Sequence, residues 1–188
     1  VCDQKELQQY LDTGKYNVLV YTAMWDMTGQ SDPDEFRKDF PAIQKAINDF
    51  LAKGGGVLIL GPTDQQPLPA TWALTGPWGA KMLCEIIRDS AGEKDFRRNY
   101  VNWAYTTQVF GPAAPGVKGI WYPCSYGKWW WPLEVDDTWQ IVLKGEKTTT
   151  AHFESWSTEV DKVRRTIPAK DGVPLAAVKS IGRGRAVI

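Results

Sequence analysis

The side chains best suited to chemistry in this 188-residue chain are its aromatics. It carries ten Trp, three of them consecutive in Lys128-Trp129-Trp130-Trp131-Pro132. A flat ring stacks on the C–H face of a sugar, and it packs equally well on a protein surface. Side chains alternate across a strand, so three adjacent Trp cannot all point inward. At least one of Trp129, Trp130 and Trp131 is therefore expected at the surface or under a loop. There these rings would bind carbohydrate or a protein partner. Trp72, Trp78, Trp103 and Trp121 fall in expected loops or edges and would extend such a surface. The competing reading is a loop-covered core filled by Trp, a residue that is usually well buried.

Other chemistry is sparse. Cys2, Cys84 and Cys124 are odd in number, their spacings fit no zinc pattern, and one His, His152, cannot complete a Cys/His site. No metal and no cofactor is expected. Cys84 lies in Lys81-Met82-Leu83-Cys84-Glu85-Ile86-Ile87, a run with helical spacing where a thiol acts as a small hydrophobe. Cys124 reads as a buried thiol, as half of a disulfide with Cys2, or as a nucleophile. Asp136-Asp137 pairs two carboxylates, but no loop of convergent oxygen ligands surrounds them, and a turn before a strand explains both. Gly54-Gly55-Gly56 precedes a strand and lacks a following Lys-Ser/Thr, so it is not a phosphate loop. Arg97-Arg98 and Arg164-Arg165 read as solvated charge.

Lys and Arg number 22, as do Asp and Glu. Zero net charge argues against a nucleic-acid binder and against a polybasic membrane-surface protein. The longest strictly aliphatic run, Val57-Leu58-Ile59-Leu60, is far short of the roughly 20 residues that span a bilayer. At 43% hydrophobic and 23% charged the composition is globular. The length suits one domain over residues 1–188, able to bury about 70% of its unfolded surface. The sequence opens on Val1 and stops on the β-formers Ala186-Val187-Ile188, so it reads as a fragment of a longer chain.

The elements that would position these residues follow from hydrophobic spacing. Leu7, Tyr10 and Leu11 give a short helix ending at Gly14. Asn17 to Ala23 is a continuous β-rich run, expected to be buried on both faces as in a helix-covered parallel sheet. Asp32 caps a helix with Pro33 at its first position and Glu35 at its third. Pro41 should start a second helix, with Ile43, Ile47, Phe50 and Leu51 inward and Gly54 as its stop. Gly56 to Leu60 is a second buried strand, completing a right-handed βαβ unit. A Pro/Gly-rich loop over Thr63–Trp78 precedes a helix over Ala80–Ala91 that Gly92 ends. Glu93 to Gly116 carries mixed signals. Strands are expected over Val117–Tyr122, Trp139–Lys144, Pro174–Ile181 and Arg185–Ile188, the last two joined by the turn Gly182-Arg183-Gly184. Ser157 to Gly172 reads as an exposed polar linker.

Three stretches carry a family resemblance: Tyr16-Asn17-Val18-Leu19-Val20, then Phe50-Leu51-Ala52-Lys53-Gly54-Gly55-Gly56-Val57-Leu58-Ile59-Leu60, and Pro174-Leu175-Ala176-Ala177-Val178 with Gly182-Arg183-Gly184-Arg185-Ala186-Val187. Together with Leu133 to Trp139 they resemble the class I glutamine amidotransferase-like superfamily. The likeness is to its trehalose-utilisation-type and carbohydrate-enzyme-associated branches. It implies an α/β fold: a flavodoxin-like three-layer sandwich with a mainly parallel central sheet and an antiparallel C-terminal hairpin.

Catalytic members of that superfamily place a Cys on a strained turn after the strand matching Val57–Leu60. Here the turn reads Gly61-Pro62-Thr63, with no thiol, and Pro62 lacks an N–H for an oxyanion hole. The superfamily's late His-x-Glu pair is matched by His152-Phe153-Glu154, with Glu able to orient the imidazole. A relocated hydrolase site would then combine Cys124, His152 and Glu154. The main expectation is a non-catalytic accessory or interaction domain of a larger exported bacterial protein, extracellular or periplasmic. Its partners would be neighbouring domains, a protein or carbohydrate, with no nucleic acid and no membrane insertion.

Overall fold

The computed structural model describes residues 6–22, 33–61, 69–83, 85–90, 94–95, 102–112, 114–124, 131–152 and 172–188. The chain divides into two compact units, Val1–Leu60 with Val178–Ile188, and Gly61–Ala177.

The first unit begins with α1 (Leu7–Asp12), whose Leu7 and Leu11 are buried. Strand β1 (Val18–Thr22) pairs in parallel with β2 (Gly56–Leu60), and α2 (Pro33–Ala52) is the crossover between them. The C-terminal hairpin joins β11 (Pro174–Ile181) and β12 (Gly184–Val187), with Val178 opposite Val187 and Ile181 opposite Gly184. β12 also lies parallel to β2, so the order in this unit is β1-β2-β12-β11. Helix α2 packs on β2 and β12 with Phe40, Ile43, Ala46, Ile47, Phe50 and Leu51 buried along one stripe. Gly184 is what lets the hairpin come so close. A Cβ there would lie 2.3 Å from the Gly55 carbonyl oxygen and 2.6 Å from that of Leu51.

The second unit is built from small antiparallel sheets. Helix α3 (Pro69–Thr75) and a 3-10 turn (Gly76–Trp78) lead into β3 (Ala80–Met82), which pairs with β8 (Leu133–Val135). β4 (Ile86–Asp89) pairs with β10 (Thr149–His152). β5 (Lys94–Asp95), β6 (Asn102–Thr106) and β7 (Ile120–Cys124) form a three-stranded sheet. β9 (Gln140–Lys144) neighbours β11, whose residues Pro174–Ala177 belong to this unit. Ile87, Ala104, Tyr122, Cys124, Leu143, Ala151, Val173 and Leu175 make its core.

The fold is therefore mostly β and is not a flavodoxin-like three-layer sandwich. Among the strand pairs with a described register, β1-β2 and β2-β12 are parallel and the others are antiparallel. β1 and β2 are not buried on both faces: Tyr21, Val57 and Ile59 are inward, while Val18, Val20 and Leu60 are exposed. A continuous apolar run satisfies a two-sided strand, but it does not oblige a second helical layer to exist.

Three local expectations also change. The helix expected over Ala80–Ala91 is instead β3 and β4. Met82, Leu83, Ile86 and Ile87 fit either period in so short a window, and strand partners decide between them. Cys84 and Gly92, part of that expected helix, lie outside the described residues. The loop expected over Thr63–Trp78 holds α3, which opens on Pro69 as a first-turn proline can. Pro41 does not start a new helix but sits inside α2. It is exposed, while Phe40 and Ile43 beside it continue the buried stripe, so packing holds the helix together across the missing N–H. Among the described residues no helix is long and apolar enough to cross a membrane.

Because Pro41 removes one helical hydrogen bond at a solvent-facing position, Pro41→Ala should stabilise the protein by about 1–3 kcal/mol. A urea midpoint that stays put or falls would show that the proline is accommodated without cost.

Candidate functional site

β6 and β7 pair in antiparallel register, with Trp103 opposite Pro123, Ala104 opposite Tyr122 and Tyr105 opposite Trp121. Opposed residues share a face and successive residues alternate faces. The inner face takes Ala104, Thr106, Tyr122 and Cys124, all buried. The outer face takes Trp103, Tyr105, Trp121 and Pro123, with the three rings 36%, 40% and 40% exposed. The Tyr105 and Trp121 rings lie 5.2 Å apart between centroids and are tilted by 53°. Such a pair contributes about 0.5–1.5 kcal/mol beyond its area, which helps hold the rings in place while they face water.

Two polar anchors fix this sheet from beneath and at its end. The Tyr122 hydroxyl is 2.9 Å from Thr149 Oγ1 and 3.4 Å from Asp89 Oδ2. Thr148 Oγ1 donates to Asp89 Oδ1 at 2.7 Å and Thr149 Oγ1 to Oδ2 at 3.3 Å. Burial pushes the Tyr122 phenol far above its ordinary value, and the neighbouring Asp89 carboxylate adds to this, so it acts as a neutral hydroxyl. Just past β6, Glu146 Oε1 accepts from the Thr107 backbone N–H at 2.7 Å, from Thr107 Oγ1 at 3.0 Å and from Thr106 Oγ1 at 3.2 Å. The Thr107 N–H chiefly, with these hydroxyls, holds the Glu146 carboxyl below its ordinary value despite partial burial.

The residues singled out by sequence are placed as follows. Trp131 is buried, as are Trp78 and Trp139; the Trp139 indole N–H donates to the Trp78 carbonyl at 2.8 Å. Trp129 and Trp130 lie outside the described residues. Trp72 is half-buried, donates to the Met82 carbonyl at 2.5 Å and has Lys81 Nζ 4.2 Å over its ring. Trp103 and Trp121 do share a surface, and sequence reasoning missed Tyr105 as their neighbour. The alternation Trp103-Ala104-Tyr105-Thr106 was the available signal.

Cys124 is buried at 2% exposure in an apolar core and is not disulfide-bonded. His152 is the last residue of β10, opposite Ile86; its side chain, Glu154 and Cys2 lie outside the described residues. So do Pro62 and Thr63, while Gly61 is packed tightly: a Cβ there would lie 2.5 Å from Trp131 Cδ1. The Trp131 indole thus packs over Gly61. Asp136 forms the expected turn before β9, its Oδ1 accepting from the Thr138 N–H at 2.9 Å and from the Thr138 hydroxyl. Gly54 and Gly55 donate to the Leu51 and Phe50 carbonyls, so this glycine run closes the end of α2. Among the described residues no group of three or more His, Cys, Asp or Glu could hold a metal ion. Arg97-Arg98, Arg164-Arg165 and the linker up to residue 171 lie outside the described residues.

No protein-family model and no curated protein matches the chain. Solved structures do, among them the following two. The mmIFT52 N-terminal domain is similar at a TM-score of 0.54 and 11% identity, over 96% of this chain and 67% of that one. The Cytoplasmic Protein STM1381 from Salmonella typhimurium LT2 is similar at a TM-score of 0.48 and 13% identity, over 100% of this chain and 75% of that one. At 11% identity the likeness to the mmIFT52 domain is one of fold alone. Neither carries a description as a glutamine amidotransferase.

The Glu146 anchor sets a pH dependence. Its folded-state carboxyl titrates below the ordinary 4.5, so its contribution is complete above that pH and is lost as pH falls through the lower folded value. Glu146→Gln should cost about 1 kcal/mol at pH 7 and flatten the loss of stability below pH 4.5. Parallel acid-denaturation curves for both proteins would contradict this. The burial of Cys124 predicts slow alkylation in the native protein and fast alkylation in denaturant. Mass-mapped modification of Cys124 at equal rates in both states would show the thiol to be accessible.

Proposed function

We propose that this protein is a non-catalytic recognition domain that holds a neutral saccharide chain against the aromatic face of β6 and β7. The observation that carries the reading is the gathering of Trp103, Tyr105 and Trp121 on one exposed sheet face. Rings of this size usually seek burial, and a contiguous exposed aromatic patch is a common mark of a contact site. The two strands, Asn102-Trp103-Ala104-Tyr105-Thr106 and Ile120-Trp121-Tyr122-Pro123-Cys124, contain no charged residue. On the third strand Lys94 stands opposite Trp103, so it is the Tyr105–Trp121 ring pair, with no ionic partner from β6 or β7, that suits the C–H faces of uncharged sugars. The absence of catalysis is supported by the buried Cys124 thiol and by the indole packed over Gly61.

A protein partner is the second reading. Trp and Tyr together on one exposed face favour it, because these two residue types are enriched in protein interfaces.

The test is titration of soluble neutral glycans against the whole chain, following Trp emission, with Trp121→Ala and Tyr105→Ala as comparisons. A saturable change is expected for at least one glycan, with affinity reduced about tenfold or more in each variant, the loss of roughly 1.4 kcal/mol from one stacking ring. Unchanged emission with every glycan at millimolar concentration would remove the saccharide reading. Binding that survives both substitutions would remove the surface itself.

A further inference from the structure

The first unit presents a second open face of different chemistry. Its register places side chains in rows across the sheet. One row is Val18, Gly56, Arg185 and Ser180; the next is Val20, Leu58, Val187 and Val178; the last holds Thr22 and Leu60. The opposite face carries Tyr21, Val57, Ile59 and Ala186, all buried, and is the face that α2 covers. On the open face Val18, Val20 and Leu60 are 60%, 53% and 42% exposed, and Leu58, Val178 and Val187 are half-buried. The central row is thus a continuous aliphatic stripe four strands wide. Strands lie about 4.8 Å apart, so it spans roughly 14 Å, wider than a helix of about 10 Å and long enough to seat a ridge of helical side chains.

Charge narrows what covers it. Arg185 is exposed and is the only ionisable residue in these three rows; among the described residues of the rows there is no carboxylate. A second copy laid face to face would bring Arg185 against a surface with no acid, and burying an unpaired charge is costly. A lone cation is also far from the basic cluster that draws a protein to an anionic membrane. Neighbouring parallel strands such as β1, β2 and β12 are ordinarily covered by helices on both faces, and among the described residues a helical layer lies on one face.

We propose that this face docks an amphipathic helix from a partner polypeptide, with leucine-type side chains along the Val20–Val178 row and a carboxylate opposite Arg185. The proposal does not rest on the saccharide reading, since it concerns other residues and another kind of ligand.

The probe is a synthetic amphipathic helical peptide of about 18 residues, with Leu at i, i+3, i+4 and i+7 and Glu on its flank. A Lys-flanked version and a Leu-scrambled version are the controls. Methyl NMR of the whole chain reads the footprint. The expected result is shifts at Val18, Val20, Leu58, Val178 and Val187, with the Glu peptide binding about tenfold more tightly than the Lys peptide. Arg185→Glu should reverse that preference, and Val20→Asp, at an exposed position, should abolish binding without unfolding the chain. The proposal is overturned by the absence of binding, by equal binding of the scrambled peptide, or by a preference that Arg185→Glu leaves unchanged. Concentration-dependent dimerisation that Val20→Asp dissolves would also overturn it, by showing that a second copy covers the face.

Discussion

Both open faces depend on one constraint: a β-strand that turns a side chain inward must turn its neighbours outward. β6 buries Ala104 and Thr106, and β7 buries Tyr122. Trp103, Tyr105 and Trp121 then have no place but the outer face. A slip of one residue would send three large rings into space sized for an alanine, a threonine and one tyrosine. It would also expose the phenol that meets Thr149 and Asp89. Register is strongly specified where the two faces differ this much. In the first unit, Val57 and Ile59 face α2, and Leu58 and Leu60 follow to the other side by the same rule.

The polar core beneath the aromatic face makes the register harder to change. Asp89 is 2% exposed, and its carboxylate accepts from the hydroxyls of Thr148 and Thr149, with the Tyr122 hydroxyl also in reach. A buried carboxylate tolerates little movement of its donors, because each one withdrawn removes a hydrogen bond that offsets its desolvation. Those donors sit on β7 and on β10 with its preceding turn, which ties the sheet bearing the rings to the β4–β10 pair. Glu146 does the equivalent at the end of β6 by gathering Thr106 and Thr107 on one carboxylate oxygen. The rings are thereby held by a firm backbone, although one face of each is wet.

What could be read from sequence follows from how local each signal is. The stripe Ile43, Ile47, Phe50 and Leu51 and the glycines closing it fix α2 by themselves, and the parallel β1–β2 pair follows. The turn Gly182-Arg183-Gly184 likewise delivers the hairpin. The second unit was poorly legible because its strands are short: β3 and β8 have three residues each and β5 has two. Segments of that length take their conformation from partners distant in sequence, as β4 does from β10 some 60 residues on. The triple Trp drew attention by its composition, but Trp131 went to cover Gly61. The exposed surface was carried by a quieter pattern, aromatic residues alternating with small ones.

The expectation of three layers failed for an instructive reason. Val18-Leu19-Val20 and Val57-Leu58-Ile59-Leu60 are apolar at both parities, and that pattern normally records burial from both sides. The structure satisfies only one parity within the first unit. Burying an aliphatic side chain contributes about 1.5–3 kcal/mol, and a domain's net stability is only about 5–15 kcal/mol. Several aliphatic side chains left in water therefore represent a large share of the stability this fold could have had. Polar residues at those positions would serve an isolated two-layer unit equally well and would keep it from associating. Aliphatic side chains at Val18, Val20, Leu58 and Leu60 make physical sense if the sequence is suited to a state in which that side is covered. The two-sided pattern then fits the sheet with both sides covered.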